Sequence, residues 1–342
     1  MDTRSSALPF SQWMEQALFD PRSGYYTTRI KTLGRQGDFS TSATASPLLG
    51  KAIARWLEAC RRRCPGVRAV IEVGGGDGSL SHAVRQALGW WRGRFYAWHM
   101  VETSPILRAR QQERLPQSVV WHESIVSALA ACEGRAHLFH NELVDAFPAT
   151  LLQWDAQEKV WKEVWLAPQA GRWKEEFHSC PLDAAPFSAL CHWTAHHPPP
   201  HPKQRVELHA SFRAWLSQLA PSWRGGEMLT VDYGDHFPQL YHRQPGGTLR
   251  AYLLHQRLTG PEIYLNKGRQ DLTADVNFTD LEAWGEALGW EDSHVVTQSA
   301  FLHEQLPGLK KSLTAASPDA FIADPEGAGK AFKVWTVRRG AA

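Results

Sequence analysis

The sequence predicts an α/β protein built on an open parallel sheet, and three features predict it. An apolar run, Val70-Ile71-Glu72-Val73, stops on the turn Gly74-Gly75-Gly76-Asp77-Gly78, and a helical pattern starts at once. A second apolar run, Ala97-Trp98-His99-Met100-Val101, follows that helix and ends on the acid Glu102. A later run, Ala136-His137-Leu138-Phe139, repeats the arrangement after another helical pattern. Strands that alternate with helices of this length pair side by side in a parallel sheet with the helices as crossovers.

Residues 1–66 read as a helical N-terminal extension with an active-site loop, Tyr25 to Ser46, rich in Gly, Thr, Ser and Tyr. Within it Leu48, Leu49, Ile53, Trp56 and Leu57 trace one face of a helix. The run Arg61-Arg62-Arg63 then precedes Pro65-Gly66, where positive charge favours a helix C-terminus. A nucleic-acid role for that run is set aside, because 37 basic against 35 acidic residues leaves a net charge of only +2.

Residues 67–150 read as the first part of the cofactor-binding core. Glycine at a strand exit permits left-handed φ values and lets a ligand approach main-chain atoms without meeting a Cβ. After the turn, Leu80, Ala83, Val84, Ala87 and Leu88 give the next helix an apolar face, and its N-terminus points at the ligand. The dinucleotide pattern G-x-G-x-x-G requires glycine at position 79, which is Ser79; the third glycine falls one residue early, at Gly78. A nicotinamide oxidoreductase is therefore disfavoured, and so is a P-loop enzyme, since Gly329-Lys330 is followed by Ala331. The plain alternative is a structural glycine turn.

Glu102 lies where such a sheet places the acid that accepts ribose hydroxyls; the competing reading is a solvated loop acid. Ser104-Pro105 forms an N-cap and first-turn pair for a helix running to about Leu115. A third strand, Val119 to Trp121, leads to Glu123-Ser124-Ile125, where this fold contacts the adenine. The fourth runs into His140-Asn141-Glu142-Leu143-Val144-Asp145, which sets amide and carboxylate groups at a carboxyl strand end.

Residues 151–203 read as a small β-rich insertion ending in a proline-rich linker. Strands are expected over Thr150 to Trp154, Lys159 to Ala167 and Gly171 to Phe177, broken at Pro168-Gln169-Ala170. The histidines of His196-His197-Pro198-Pro199-Pro200-His201 sit on an extended chain without metal-site spacing, so a solvated linker and no metal are expected. Residues 204–234 supply a core helix, with Leu208, Phe212, Trp215, Leu216 and Leu219 on one face, and a fifth strand ending at Asp232-Tyr233-Gly234. Residues 235–277 read as a lid-like insertion, and 278–342 as the rest of the core, closing with an antiparallel hairpin near Ser293 to Val296 and Ala331 to Val337.

The five cysteines, Cys60, Cys64, Cys132, Cys180 and Cys191, contain no C-x-x-C pair and fit a reducing compartment. No run approaches the apolar length of a membrane span, and no secretory signal or mitochondrial presequence is evident at Met1-Asp2-Thr3-Arg4-Ser5. A cytoplasmic protein is the expectation. The sixteen tryptophans are scattered without a repeat and read mostly as core.

With Glu72 in front, the turn reads E-x-G-x-G-x-G and resembles motif I of class I S-adenosylmethionine methyltransferases, in which that acid lies near the methionine end of the cofactor. Further segments narrow the likeness. Asp20-Pro21 with Gly24-Tyr25-Tyr26, Gly37-Asp38-Phe39-Ser40-Thr41-Ser42, and Asn141-Glu142 with Asp145-Ala146 and Pro148 resemble elements of the MidA-like methyltransferases. Arg205 with Glu207, Asp232-Tyr233-Gly234, Thr248-Leu249-Arg250-Ala251-Tyr252 and Asp271-Leu272-Thr273-Ala274-Asp275-Val276-Asn277-Phe278 continue it in family order over most of the chain. The chain departs from the family at Gly75, at Thr44, which replaces a frequent glutamate, and at Asp275 and Asn277, which replace a histidine and an aspartate.

The resemblance implies a class I, Rossmann-like sheet, S-adenosylmethionine as cofactor, and a protein acceptor, with arginine first; mitochondrial members of the family assist respiratory complex I assembly. The expected cofactor residues are Glu72, Gly74, Gly76, Gly78, Glu102, Glu123, Ser124 and Asn141. A guanidinium acceptor calls for carboxylates that grip its donors in a planar fork. Glu142 and Asp145 are the candidates, with Asp232 third; the competing reading makes Asp145 a turn cap and Glu142 a cofactor contact alone. Arg205 and Glu207 read as a structural ion pair. The altered positions also motivate a second reading, a non-catalytic assembly or interaction factor that retains the fold.

Overall fold

The computed structural model describes residues 7–30, 46–180, 200–242, 244–254, 256–314 and 317–340. Thr44 and the Gly37 to Ser42 element lie outside them, as do Cys191, His196 and His197. The chain forms two compact units, one of Met1–Arg29, Val144–Ala214 and Asp235–Ala283, the other of Ile30–Leu143, Trp215–Gly234 and Trp284–Ala342.

The larger unit carries the α/β architecture. In chain order it contains α1 (Leu48–Arg63), β1 (Ala69–Val73), α2 (Ser79–Gly93), β2 (Ala97–Val101), α3 (Pro105–Arg114), β3 (Val120–His122), α4 (Ile125–Ala131), β4 (Ala136–Asn141), β5 (Gly226–Asp235), β6 (Glu291–Thr297) and β7 (Phe332–Arg339). The strand order is β6-β7-β5-β4-β1-β2-β3. Strands β1 to β5 pair in parallel, and β7 lies antiparallel between β5 and β6. Every residue of β1 is buried, as expected of a central strand that must be apolar on both faces. Leu49, Ile53, Trp56 and Leu57 of α1 pack with Val84 and Leu88 of α2 and with Val70, Phe139, Leu229 and Val334 of the sheet in one core.

Two details of this unit were not legible in the pattern. The apolar face of α2 ends at Leu88 because Gly89 breaks the helix with φ +67° and ψ 172°. Strand β3 starts one residue later than expected, at Val120.

The smaller unit is mostly β. Helix Phe10–Phe19 buries Phe10, Trp13, Met14, Ala17 and Leu18, the spacing of one helical face. A sheet orders Leu8–Pro9, Val160–Gln169, Thr150–Asp155 and Arg205–Leu208, with Arg172–Ser179 paired to Val160–Gln169. Its core joins Leu152, Trp154, Trp161, Val206 and Leu208 to Leu240 and Tyr241. The strand expected to stop before Pro168 continues through it, to Gln169. Pro168 is tolerated because its register partner is Trp173 on one side, while pairing with Leu8–Pro9 on the other ends at Leu166. The hairpin then turns on Ala170 and Gly171, at φ +48° and +78°, the two left-handed residues of a tight primed turn. A second small sheet joins Arg250–Leu253, Gln256–Leu258 and Asp271–Thr273.

Candidate functional site

The carboxyl edge of β1 carries the glycine turn. Gly74, Gly76 and Gly78 all have positive φ, at +63°, +54° and +81°. A Cβ on Gly75 would fall 2.4 Å from Met100 Cε and 3.0 Å from Glu72 Cδ. The turn thus takes left-handed φ at three positions and has no room for a side chain at Gly75, so it is built of glycines for conformational and steric reasons.

Beneath the turn lies Glu72. Its carboxylate is 2% exposed and hydrogen-bonds Ser81 Oγ at the start of α2; Trp98 Nε1 donates to the same hydroxyl at 2.9 Å. Burial pushes its pKa up to about 8, with the Ser81 hydroxyl pulling the other way. Glu72 therefore braces the turn from beneath, and its burial favours the protonated form.

Glu102 ends β2 and is buried, not a solvated loop acid. It accepts from the Ser104 backbone N–H at 2.9 Å and from Gln111 Nε2 at 3.0 Å, and burial raises its pKa to about 7. Gln111 was missed as a site residue. Fully buried on α3, it also donates to the Gly76 carbonyl at 2.9 Å and accepts from Trp121 Nε1 at 3.0 Å, so it ties the glycine turn to the acid. Its only sequence signal is its position one turn after Leu107, on a face that would otherwise be apolar. A carboxylate held in this way keeps lone pairs for a diol, which suits the ribose of S-adenosylmethionine.

Glu123 and Ser124 follow β3 and are exposed. The Ser124 hydroxyl caps α4, accepting from the Ser127 N–H at 3.1 Å. Asn141 closes β4, and its Nδ2 donates to Glu142 Oε1 at 3.0 Å. Glu142 takes a left-handed φ of +51°, and its N–H donates to the Val231 carbonyl at 2.9 Å. Such a conformation is uncommon for a residue with a long side chain and is a form of strain that collects at functional sites. Since Val231 pairs with Asn141, Asp232 stands at the neighbouring strand end, fully buried, with Oδ1 accepting from the Tyr233 N–H at 3.0 Å. The larger unit therefore gathers Glu72, the three glycines, Glu102, Glu123, Ser124, Asn141, Glu142 and Asp232 on the carboxyl edge of one sheet.

Asp145 belongs to the smaller unit. It is buried, and its Oδ2 accepts from Thr273 Oγ1 at 2.7 Å. Beside it Asp271 accepts from Tyr26 Oη at 2.8 Å; burial and the Asp145 charge push the Asp271 pKa up to about 7. Burial and these two acids also hold the Tyr26 hydroxyl well above the ordinary phenol range. The tyrosine pair and the Asp271-Leu272-Thr273 element, 245 residues apart at Tyr26 and Asp271, thus meet in one acidic cluster. Both belong to elements that carry the family resemblance, but neither was expected as a site residue, because no local spacing announces a contact of that range.

Arg205 and Glu207 do not pair with each other. Arg205 bonds both oxygens of Glu175, at 2.8 and 2.5 Å, while Glu207 accepts from the Thr248 N–H at 3.0 Å, from its Oγ1 at 2.9 Å and from the Leu249 N–H at 3.2 Å. Each finds a nearer partner on another segment, Glu207 because Gly247 lets the chain approach its carboxylate.

The profile of a family described as "Putative S-adenosyl-L-methionine-dependent methyltransferase" matches residues 48–296. A protein arginine methyltransferase NDUFAF7 homolog, mitochondrial, from Drosophila melanogaster is 27% identical, the match covering 95% of this chain and 80% of that protein. The Caenorhabditis elegans homolog of the same name is 24% identical, over 80% of this chain and 67% of that protein. A crystal structure of a superfamily member from Burkholderia thailandensis, bound to S-adenosyl-homocysteine, superposes with a TM-score of 0.78 at 24% identity, over 98% of this chain and 89% of that one. The expected cytoplasmic placement is overturned by the relatives, which are named as mitochondrial proteins. Its grounds are cysteines that fit a reducing compartment, the lack of a spanning run, the lack of a secretory signal and the lack of an evident presequence; the first three do not distinguish the cytosol from a mitochondrial compartment. The cofactor is S-adenosylmethionine, and the chain belongs to this family of S-adenosyl-L-methionine-dependent methyltransferases.

Proposed function

We propose that the protein transfers the methyl group of S-adenosylmethionine to an arginine side chain of a protein. The observation that carries this reading is the buried acidic cluster of Asp145 and Asp271 with Tyr26 and Thr273. Carboxylates held out of water favour a cation that offers several donors, and a guanidinium offers them in a planar fork. The names of the fly and worm relatives support the same acceptor.

The cofactor supplies a methyl group on a positively charged sulfur. An acceptor nitrogen bonds to that carbon as the carbon–sulfur bond breaks, and the proton lost from the nitrogen passes to a carboxylate. Water must be excluded and the nitrogen lone pair aligned with the breaking bond. We assign proton acceptance to Glu142, at its strained strand end, with Asp232 as the third candidate carboxylate; in the acidic cluster of the smaller unit, Asp145 is the candidate for guanidinium recognition. Glu102 would accept the ribose hydroxyls, Glu72 would hold the turn beneath the methionine end, and the backbone at Gly74, Gly76 and Gly78 would line the cofactor. Glu123 would contact the adenine with Ser124, whose hydroxyl is committed to its helix cap, and Asn141 would fix Glu142.

The non-catalytic reading loses part of its motive. Asp275 is bound by Arg250 at 2.5 Å, and Asn277 accepts from the Thr279 N–H at 3.2 Å and donates to Asp280 at 3.0 Å, so both altered positions have structural work. Incubation with methyl-labelled cofactor and peptides carrying arginine or lysine, read by mass spectrometry, tests the proposal. Methylarginine that disappears in Glu142→Gln and Asp145→Asn is expected. Label on lysine alone, or no label from a protein that binds the cofactor, overturns it.

A further inference from the structure

The far end of α2 carries a surface that the methyl-transfer site does not use. Beyond the break at Gly89, Trp90 and Trp91 stand 67% and 73% exposed, and Phe95 is 51% exposed. The two indoles meet edge to face at 4.6 Å, and the Arg94 guanidinium lies 4.8 Å from the Trp90 ring centre and 6.0 Å from that of Trp91. Arg61, from the end of α1, lies 5.3 Å from the Phe95 ring centre, with Arg62 exposed next to it. Among the described residues no carboxylate lies within ion-pair distance of Arg61, Arg62 or Arg94, whereas Arg92 is answered by Glu58 at 2.8 Å.

Leaving two adjacent tryptophans in water sacrifices a large apolar area, and the glycine break turns them outward where a continued helix could have placed them differently. Indoles with one apolar body and one N–H settle at the boundary between lipid headgroups and acyl chains, and guanidinium groups around them sit at the depth of the phosphates. The patch is an exposed aromatic helix end with Arg61 and Arg94 against its rings, and no carboxylate among the described residues pairs with either, which matches an anionic surface. No helix among the described residues is long and apolar enough to cross a membrane, so any lipid contact made here is peripheral.

We propose that Trp90, Trp91 and Phe95, flanked by Arg61, Arg62 and Arg94, form a peripheral docking surface for an anionic lipid bilayer. Its place in the fold fits that use. Helix α2 starts at the carboxyl edge of β1 and runs back antiparallel to the sheet, so its ten residues before the break carry the patch about 15 Å from the glycine turn. Lipid bound there leaves the cofactor edge open.

Co-sedimentation of the full chain with phosphatidylcholine vesicles, with and without phosphatidylglycerol, tests the proposal. Binding is expected only with phosphatidylglycerol, weakening as salt is raised, and about tenfold or more weaker for Trp90→Ser with Trp91→Ser and for Arg61→Gln with Arg94→Gln. Cofactor affinity should be unchanged in both double variants, which shows that they fold. No sedimentation of the wild-type chain with anionic vesicles, or equal binding by the variants, overturns it. So does a concentration-dependent self-association that vanishes in the tryptophan variant without any vesicle binding, since the patch is then a contact between copies.

Discussion

Glu102 and Asp271 are buried acids whose folded pKa values lie near 7, and Glu72 lies near 8, each raised chiefly by burial. A carboxyl whose folded pKa is raised binds its proton more tightly in the native state, so it stabilises the fold fully below its unfolded pKa and loses that contribution as pH rises toward the folded value. The thermal unfolding midpoint of the cofactor-free protein should therefore fall between about pH 5 and pH 8, and Glu72→Gln should flatten the slope by differential scanning fluorimetry. An unchanged slope would mean that Glu72 is not protonated in the fold. Ribose hydroxyls donate to a carboxylate and favour its charged form, so cofactor affinity should rise with pH up to about 7 and then level off. Calorimetric titration of Glu102→Gln should show weaker binding with that rise removed.

At the scale of elements, the parallel strands were legible because each is a short apolar run closed by glycine or by an acid. Strand β2 begins and ends where the pattern placed it, and β5 follows the same rule; β6 and β7 pair antiparallel as expected, but four helices among the described residues lie between them where a hairpin was expected. The rest was hidden for physical reasons. A proline reads as a strand breaker unless one knows that its side of the strand has no neighbour, as at Pro168. A buried glutamine reads as solvated unless the carbonyl and carboxylate it joins, at Gly76 and Glu102, are already in place. Two glycines give predictions at this scale. Gly74→Ala puts a side chain at φ +63°, 2.6 Å from Leu143 Cδ1, and should weaken cofactor binding about tenfold or more through a strain of roughly 1–2 kcal/mol and a narrower turn. Gly226→Ala drives a Cβ to 2.0 Å from the Ala136 carbonyl oxygen at the start of the β4–β5 pairing. A loss on the order of 3 kcal/mol in denaturant unfolding is expected, with cofactor affinity per folded molecule unchanged.

Across the whole molecule, the cofactor edge is built within one unit and the acidic cluster of Asp145 and Asp271 within the other. A ligand that binds only the folded state stabilises by mass action, about 2.7 kcal/mol at a hundredfold excess over its dissociation constant. Hydrogen exchange with saturating cofactor should therefore slow first in β1, β2 and β4. The smaller unit's strands Thr150–Asp155 and Val160–Gln169 should be slowed less; equal protection in both would show that the two unfold as one cooperative body.

The position of β7 also governs when the sheet can be finished during synthesis. Strand β7 fills the slot between β5 and β6, and β6 pairs with β7 alone. Until Phe332–Arg339 has left the ribosome, the glycine turn exists on β1, but β5 presents a long bare edge and β6 has nothing to join. An unpaired edge of this length invites pairing with other chains, so the growing chain is most exposed to aggregation until that late strand arrives.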